Sequence, residues 1–384
     1  MFFRDNWWKV SFRRIFWLLA LILFFLLLLP LVRQFFFARI GRWLYILLFA
    51  ASTSALLTPI MMVVATKVGI VDTPGGRKIH TRVTPLLGGV AIIISFISAL
   101  LANMILDARA IALIAGGTLV AIIGLIDDWK NIPARYKFII QVVVVFLLIR
   151  SGIILDLFPD KTIGGYLLNA LFTIVWIVGL TNAMNFIDGM DGLATGVSAI
   201  ISLFMGIVAF QTDQPFMGWI AIAMLGSCLG FLPFNFSLNK QAAIFLGDAG
   251  STFLGFVLSA LAIKATWADN NPIVSFATPV LIFWVMIFDM VYITVERIIT
   301  GKVKSFHDWI EYVGTDHIHH RLLAVFGDRR KAVSFIFFIC ATLGISAITL
   351  RNARPIDGVL TVVQAFLITI IVSILEYSGR NHTN

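Results

Sequence analysis

Five short polar stretches carry side chains able to do chemistry in a chain that is otherwise oily. In IDDWKNIP, Asp127 and Asp128 stand side by side just after an apolar run. Adjacent carboxylates repel, which raises at least one proton affinity unless a cation neutralises them. They suit magnesium binding or proton acceptance, although an interfacial acidic cap balanced by Lys130 would look the same. In TNAMNFIDGMDGLATG, Asn182, Asn185, Asp188 and Asp191 recur every three residues, with Gly189 and Gly192 between them. Residues three apart share a helix face. In a tight or broken turn, which the glycines permit, all four could converge. Amides and carboxylates with close backbone approach suit a metal and a nucleotide; helix capping and turn formation are the plainer use.

Three further stretches follow the same logic. FNFSLNKQAAIFLGDAGST places Asp248 at the start of an apolar run, beside Gly247 and Gly250. There it could hold a hard cation whose phosphate partner meets a helix N-terminus, or serve only as an N-cap. DHIHHRLL supplies His317, His319, His320 and Arg321. Clustered imidazoles could bind zinc, but no cysteine accompanies them. With Arg321 they are better suited to phosphate oxygens or sugar hydroxyls. Last, VDTPGGRKIHTRVTPLLGG joins Arg77, Lys78, His80 and Arg82 to a glycine-rich run. It lacks the spacing of a P-loop, so it reads as a basic loop for a lipid phosphate or as a topology signal.

The elements that must position these residues are membrane spans. The chain has 384 residues, 60% hydrophobic and 13% charged, against roughly 25% charged in soluble domains. Apolar runs at 15–32, 43–64, 86–106, 110–126, 138–155, 166–181, 193–211, 215–234, 250–268, 273–296, 332–350 and 355–377 predict an all-α polytopic protein with about 11–12 transmembrane helices. Residues 1–42 read as a basic segment with an extra hydrophobic helix, 43–377 as the membrane domain, and 378–384 as a short polar tail. The loops at 65–86, 127–137, 182–192, 235–249 and 297–331 are each separated from the next by two spans. All five polar stretches therefore lie on one side.

Charge assigns that side. The five loops hold most of the Lys and Arg, while the opposite loops between the later spans hold only Arg109, Arg150, Lys161, Lys264, Arg351 and Arg354. The positive-inside rule places the richer side in the cytoplasm. Arg33, Arg39 and Arg42 disagree, since parity puts them outside. The basic start before 15–32 resembles a signal peptide, but bulky residues follow Pro30 where a cleavage site needs small ones, so a retained helix is expected. Cys228 and Cys340 sit in apolar runs and read as buried hydrophobes. The net charge of +9 then points to lipid headgroups and anionic ligands; no soluble basic patch supports nucleic acid.

The ordered set, with NAMNFIDGMDGL, FLGDAGS and HIHHRL, resembles the polyprenyl-phosphate N-acetylhexosamine-1-phosphate transferase superfamily, glycosyltransferase family 4, from about residue 43 to 335. The resemblance implies magnesium-dependent attack (manganese as a substitute) of undecaprenyl phosphate on a UDP-N-acetylhexosamine. The products are a lipid pyrophosphate-linked sugar and UMP, at the start of cell-surface glycan synthesis. By motif matching, Asn185 and Asp248 would hold the metal. Asp127 would be base or orienter for the lipid phosphate with Asp128 beside it. Asp188 and Asp191 would face the nucleotide, with Asn182 and Asn235 in the substrate site and Phe245 on the uracil. His317, His319, His320 and Arg321 would clamp sugar or diphosphate, and Lys78 would support the phosphates.

The resemblance also implies the bacterial cytoplasmic (inner) membrane, a cytoplasmic-facing site, and room for a homodimer. Ile318 interrupts the histidine run, and HIHHRL resembles the N-acetylglucosamine branch more than the phospho-N-acetylmuramoyl-pentapeptide transferases, which are the nearer alternative. SFHDWIEYVGTD before the histidines departs from the pattern and bears on sugar choice. A transporter is the rival from another class. It would need midplane polar residues and an internal repeat, whereas here the polar constellation keeps to one face. A structural scaffold would not need three acidic motifs on one side.

Overall fold

The computed structural model describes residues 12–74, 82–159, 162–237, 241–265, 267, 272–312, 314, 316–350 and 353–381. The helices are α1 (Phe12–Leu27), α2 (Pro30–Phe35, continued by a π-turn to Ile40), α3 (Arg42–Val68), α4 (Gly88–Ala102), α5 (Ala108–Lys130), α6 (Ala134–Arg150), α7 (Ile163–Ile187) and α8 (Leu193–Gln211). They continue with α9 (Pro215–Asn235), α10 (Gly247–Lys264), α11 (Pro272–Ile282), α12 (Trp284–Ile299), α13 (Phe306–Glu311), α14 (Ile318–Phe326), α15 (Arg329–Ile348) and α16 (Pro355–Asn381). Two two-residue strands, β1 (Val71–Asp72) and β2 (Thr84–Pro85), pair antiparallel with Val71 opposite Pro85. They flank the basic loop, whose Lys78 lies outside the described residues. The C-terminal helix runs to Asn381, into the stretch expected to be a polar tail.

All twelve apolar runs form helix, and the protein is a multi-pass membrane protein. Their lengths differ from expectation. Among the described residues, seven helices are long and apolar enough to cross a bilayer: α3, α5, α7, α8, α9, α15 and α16. Two expected spans are broken. The run 15–32 bends by 83° between α1 and Pro30–Ile40, and 273–296 bends by 77° between α11 and α12. Pro30 at the start of α2 has no N–H to continue the preceding ladder, and Pro279 lies one turn before the second break.

The arginines on the wrong side gain an explanation from α4. With 15 residues it is about 22 Å long, short of a hydrocarbon core of about 30 Å. Its last carbonyls end beside the bent N-terminal segment. Arg33 Nη2 donates to Ala102 O at 3.2 Å and Arg42 donates to Asn103 O. Arg42 also stacks over Trp219 at 4.0 Å. Cations at a helix C-terminus complement its partial negative charge, so this pair is placed by α4 and not by topology.

At the centre stands α10, buried from Gly247 to Ala262 apart from Asp248. A helix apolar on all faces belongs in a core, and it packs on α4, α5, α7 and α8. Its N-terminus, the C-termini of α5 and α7, and the N-terminus of α14 come together at one end of the bundle.

Candidate active site

The site is built around the start of α10. Gly247 takes a φ of 76°, which turns the chain into the helix and which side chains resist. The end of α5 reaches this point because Gly124 and Gly247 leave no bulk: a side chain at Gly124 would collide with the backbone of Asp248, and one at Gly247 with Asp128. Asp128 Oδ1 accepts from Asp248 N at 2.8 Å and Oδ2 from Ala249 N at 3.2 Å. Asp128 therefore caps a neighbouring helix, answering N–H groups that have no partner within their own helix.

Asp127 faces the other way. Its Oδ1 accepts from Ile132 N at 2.5 Å, closing the loop after α5, and its Oδ2 meets Lys137 Nζ at 2.5 Å. Lys137 also reaches Asp248 Oδ2 at 2.9 Å. One ammonium, from the first turn of α6, thus bridges the two carboxylates.

The third acidic stretch ends α7. Asn182 Nδ2 donates to Gln141 Oε1 at 2.7 Å, and Asn185 Nδ2 to Ser251 Oγ at 2.9 Å on α10. The helix stops at Ile187, and Asp188 to Gly192 form the turn into α8. Asp188 shares its surroundings with Asp248, Asp128 and Asp191; burial, then those like charges, push its carboxyl well above the usual range. Asp191 Oδ2 accepts from Ala242 N at 2.8 Å.

That bond ties down the strap of residues 241–246 that leads into α10. Asn235 Nδ2 donates to Ile244 O at 3.0 Å, while its Oδ1 accepts from Thr195 Oγ1 at 3.1 Å. Phe245 N donates to Pro85 O at 2.8 Å. Gly88 N and Gly89 N in turn donate to Phe245 O and Leu246 O at 3.1 and 2.8 Å, so the strap supplies the acceptors for the first turn of α4. Phe245 is partly exposed. Arg13 of α1 joins from outside, its Nε donating to Pro233 O at 2.9 Å within electrostatic reach of Asp191.

The histidine stretch arrives from α14. His319 is 1% exposed, neither ring nitrogen has a partner among the described residues, and its ring fills the space above Gly189. Burial, helped by His320, His317 and Arg321, pushes its imidazole well below 6.5. His320 lies against it at 4.2 Å between ring centres and is half buried. His317 Nδ1 pairs with Asp289 Oδ2 at 2.8 Å. Arg321 is 2% exposed and turned toward Asp289 and Glu376.

A divalent cation suits these donors. Four carboxylates, Asp127, Asp128, Asp188 and Asp248, are drawn together with Lys137 as the cation seen between two of them. The Asn185 amide nitrogen is taken, which leaves its oxygen as the donor atom. Among the described residues, no three His, Cys, Asp or Glu side chains close on one point as a metal cage. Magnesium does not ask for one, since it is commonly held by one or two carboxylates plus water and substrate phosphates.

Comparison with known proteins decides the lineage. The sequence model described as glycosyl transferase family 4 matches residues 110–266. A protein of Bacillus subtilis (strain 168), named as a probable undecaprenyl-phosphate N-acetylglucosaminyl 1-phosphate transferase, is 34% identical over 307 residues, covering 78% of this chain and 83% of that one. The chain belongs to glycosyl transferase family 4. The decaprenyl-phosphate N-acetylglucosaminephosphotransferase of Mycolicibacterium smegmatis is 29% identical over 351 residues, 83% and 84% of the two chains. The undecaprenyl-phosphate alpha-N-acetylglucosaminyl 1-phosphate transferase of Escherichia coli K12 is 28% identical over 297 residues, 73% and 76%.

Among the family-4 residues expected from the sequence, the structure brings together Asp127, Asp128, Asn185, Asp188, Asp248 and His319, with Asn182, Asp191, Phe245 and His320 around them. It sets three apart from the open site. Asn235 has both ends of its amide bonded within the protein, His317 is committed to Asp289, and Arg321 is turned away toward Asp289 and Glu376. Lys137 was not among the expected site residues. Its position in ARYKF one turn into an apolar helix marks it as a topology charge, and only the fold shows it between two carboxylates. Asp289 and Glu376 were not among the expected site residues either; both lie in apolar runs, and only the fold sets them beside Arg321.

Proposed function

We propose that this protein transfers N-acetylglucosamine 1-phosphate from UDP-N-acetylglucosamine to undecaprenyl phosphate, releasing UMP. The observation that carries the reading is the convergence of Asp127, Asp128 and Asp188 on Asp248 at one end of a membrane bundle, with Lys137 bridging Asp127 and Asp248, in a chain whose relatives are named for this transfer. A lipid phosphate can reach such a site from the bilayer, while a nucleotide sugar comes from water. The richer basic charge on this side supports a cytoplasmic face in a bacterial inner membrane.

In this reading an oxygen of the lipid phosphate bonds to the phosphorus next to the sugar, and the bond from that phosphorus to the UMP oxygen breaks. Such transfers need alignment and charge neutralisation more than covalent help from the protein. Asp248 and Asn185 would hold magnesium, which when bound supplies neutralising charge to the diphosphate. Lys137, braced by Asp127, orients the incoming phosphate. Asp127 acts as orienter because both its oxygens are already engaged. Asp128 fixes the start of α10, and with it the aim of Asp248. Asp188 and Asp191 border the nucleotide pocket, whose strap presents Phe245 for stacking on uracil. His319 and His320, as neutral imidazoles, contact the sugar phosphate.

The test is UMP release by purified protein given undecaprenyl phosphate, magnesium and one UDP-sugar at a time. Turnover with UDP-N-acetylglucosamine alone is the expected result. Turnover only with another UDP-N-acetylhexosamine would overturn the sugar, and none with any sugar from folded protein would overturn the activity.

A further inference from the structure

The last helix carries a buried acid that the transfer reaction does not explain. Most of α16 faces outward, with Leu360, Val363, Phe366, Leu367, Ile371 and Ile374 exposed. Its inward stripe is Ala365, Thr369, Val372 and Glu376, spaced four, three and four apart. Glu376 ends that stripe at 4% exposure. A carboxylate on the packed face of a membrane helix is costly unless paired, and its neighbour is Arg321 of the histidine stretch, Nε to Oε2 at 3.4 Å.

Arg321 is held by charge and stacking. Its guanidinium lies over the Tyr292 ring at 4.0 Å, its Nη2 is 3.7 Å from Asp289 Oδ1, and Nε, Nη1 and Nη2 make no hydrogen bond among the described residues. Asp289 is already engaged. Its Oδ1 accepts from Ile318 N at 2.7 Å and its Oδ2 pairs with His317 Nδ1 at 2.8 Å. The His317 ring stacks on His319 with centres 6.0 Å apart and planes 15° from parallel. A chain of contacts thus runs from the lipid-facing helix to the imidazole above Gly189.

We propose that Glu376 is a positioning residue for the histidine cluster: it shares the charge of Arg321, so that Asp289 stays committed to His317 and His319 stays aimed at the site. Without Glu376, Asp289 is the acid that remains paired with Arg321 among the described residues. The buried guanidinium then draws Asp289 from His317 and Ile318, and the imidazole stack loses its anchor. The inference rests on the proposed transfer for its kinetic consequence, but not for its structural one.

The experiment compares wild type with Glu376→Leu, Glu376→Gln (which keeps the volume) and the double variant Arg321→Met/Glu376→Leu. Readouts are thermal stability in detergent, modification of His319 by diethyl pyrocarbonate followed by mass spectrometry, and UMP release per folded molecule. In both single variants His319 should react roughly fivefold faster. Turnover number should fall about tenfold, with KM for UDP-N-acetylglucosamine within about twofold, as expected when a group is misaimed. In the double variant the competing charge is gone, so turnover number should recover about threefold over Glu376→Leu and His319 should be protected again. Unchanged His319 reactivity in a folded Glu376→Gln protein overturns the proposal, as does a double variant no better than the single. Wild-type protein that releases no UMP overturns the transfer reading, and His319 modification still decides this one.

Discussion

At the residue scale, Lys137 and Asp128 show how one geometry divides labour among similar charges. Lys137 separates Asp127 from Asp248, so removing it sets two carboxylates against each other. Lys137→Met is expected to fold, to lose about a hundredfold in turnover number, and to reach its residual activity at lower magnesium, because the unneutralised carboxylates attract the cation more strongly; a magnesium titration of UMP release checks this. Asp128→Asn keeps one acceptor for α10 and loses the other charge-assisted bond. It should remain folded with a lowered melting temperature and lose turnover; wild-type turnover in that variant would refute the role. His319 gives a pH signature. The folded chain keeps it neutral, while the unfolded chain takes up a proton below 6.5. Stability therefore falls as pH drops below 6.5, by at most about 1.4 kcal/mol per pH unit. Melting curves between neutral pH and pH 5 should be flatter at the acid end in His319→Asn.

At the element scale, close backbone approach is what brings the helix ends together. Gly89 of α4 meets Gly250 of α10, and a side chain on either would collide with the other's backbone. Gly89→Val should cost about 1–3 kcal/mol and misplace the strap that hydrogen-bonds Gly88 and Gly89. Gly164→Ala on α7 has open space and should be neutral or stabilising by about 0.5–1 kcal/mol. Melting temperatures of the two variants separate packing from helix propensity. The acidic turn teaches the same point. The three-residue spacing of Asn182, Asn185, Asp188 and Asp191 fits either a drifting helical stripe or a broken turn. The stop at Ile187 decides for the second, leaving the two amides on helix and the two acids in the turn.

At the scale of the whole molecule, α10 is the buried member of the twelve apolar segments, and two of the others are bent. Topology is open to a direct test. With Cys228 and Cys340 buried, single cysteines at exposed Lys302 and Asp156 should label from opposite faces with a membrane-impermeant maleimide. Lys302→Cys should react only from the cytoplasmic side. Labelling of both from one face would refute the one-sided site.

The sequence by itself determined that the chain crosses a membrane many times and that its acids and histidines gather on one face. Hydropathy and loop parity are local properties, counted along the chain without knowing any packing. It also named most of the acidic cluster, because the acidic stretches follow one another in an ordered set of motifs, although each alone would serve as well for a helix cap or a turn. Tertiary structure decided the rest. Lys137 as a bridge, Asn235 as a brace and Arg321 as a buried charge depend on partners 111, 40 and 55 residues away, from Asp248, Thr195 and Glu376 respectively. So do the arginines around α4, whose placement answers the end of a short helix. A residue's type limits what it can bond; only the fold says which partner stands within reach.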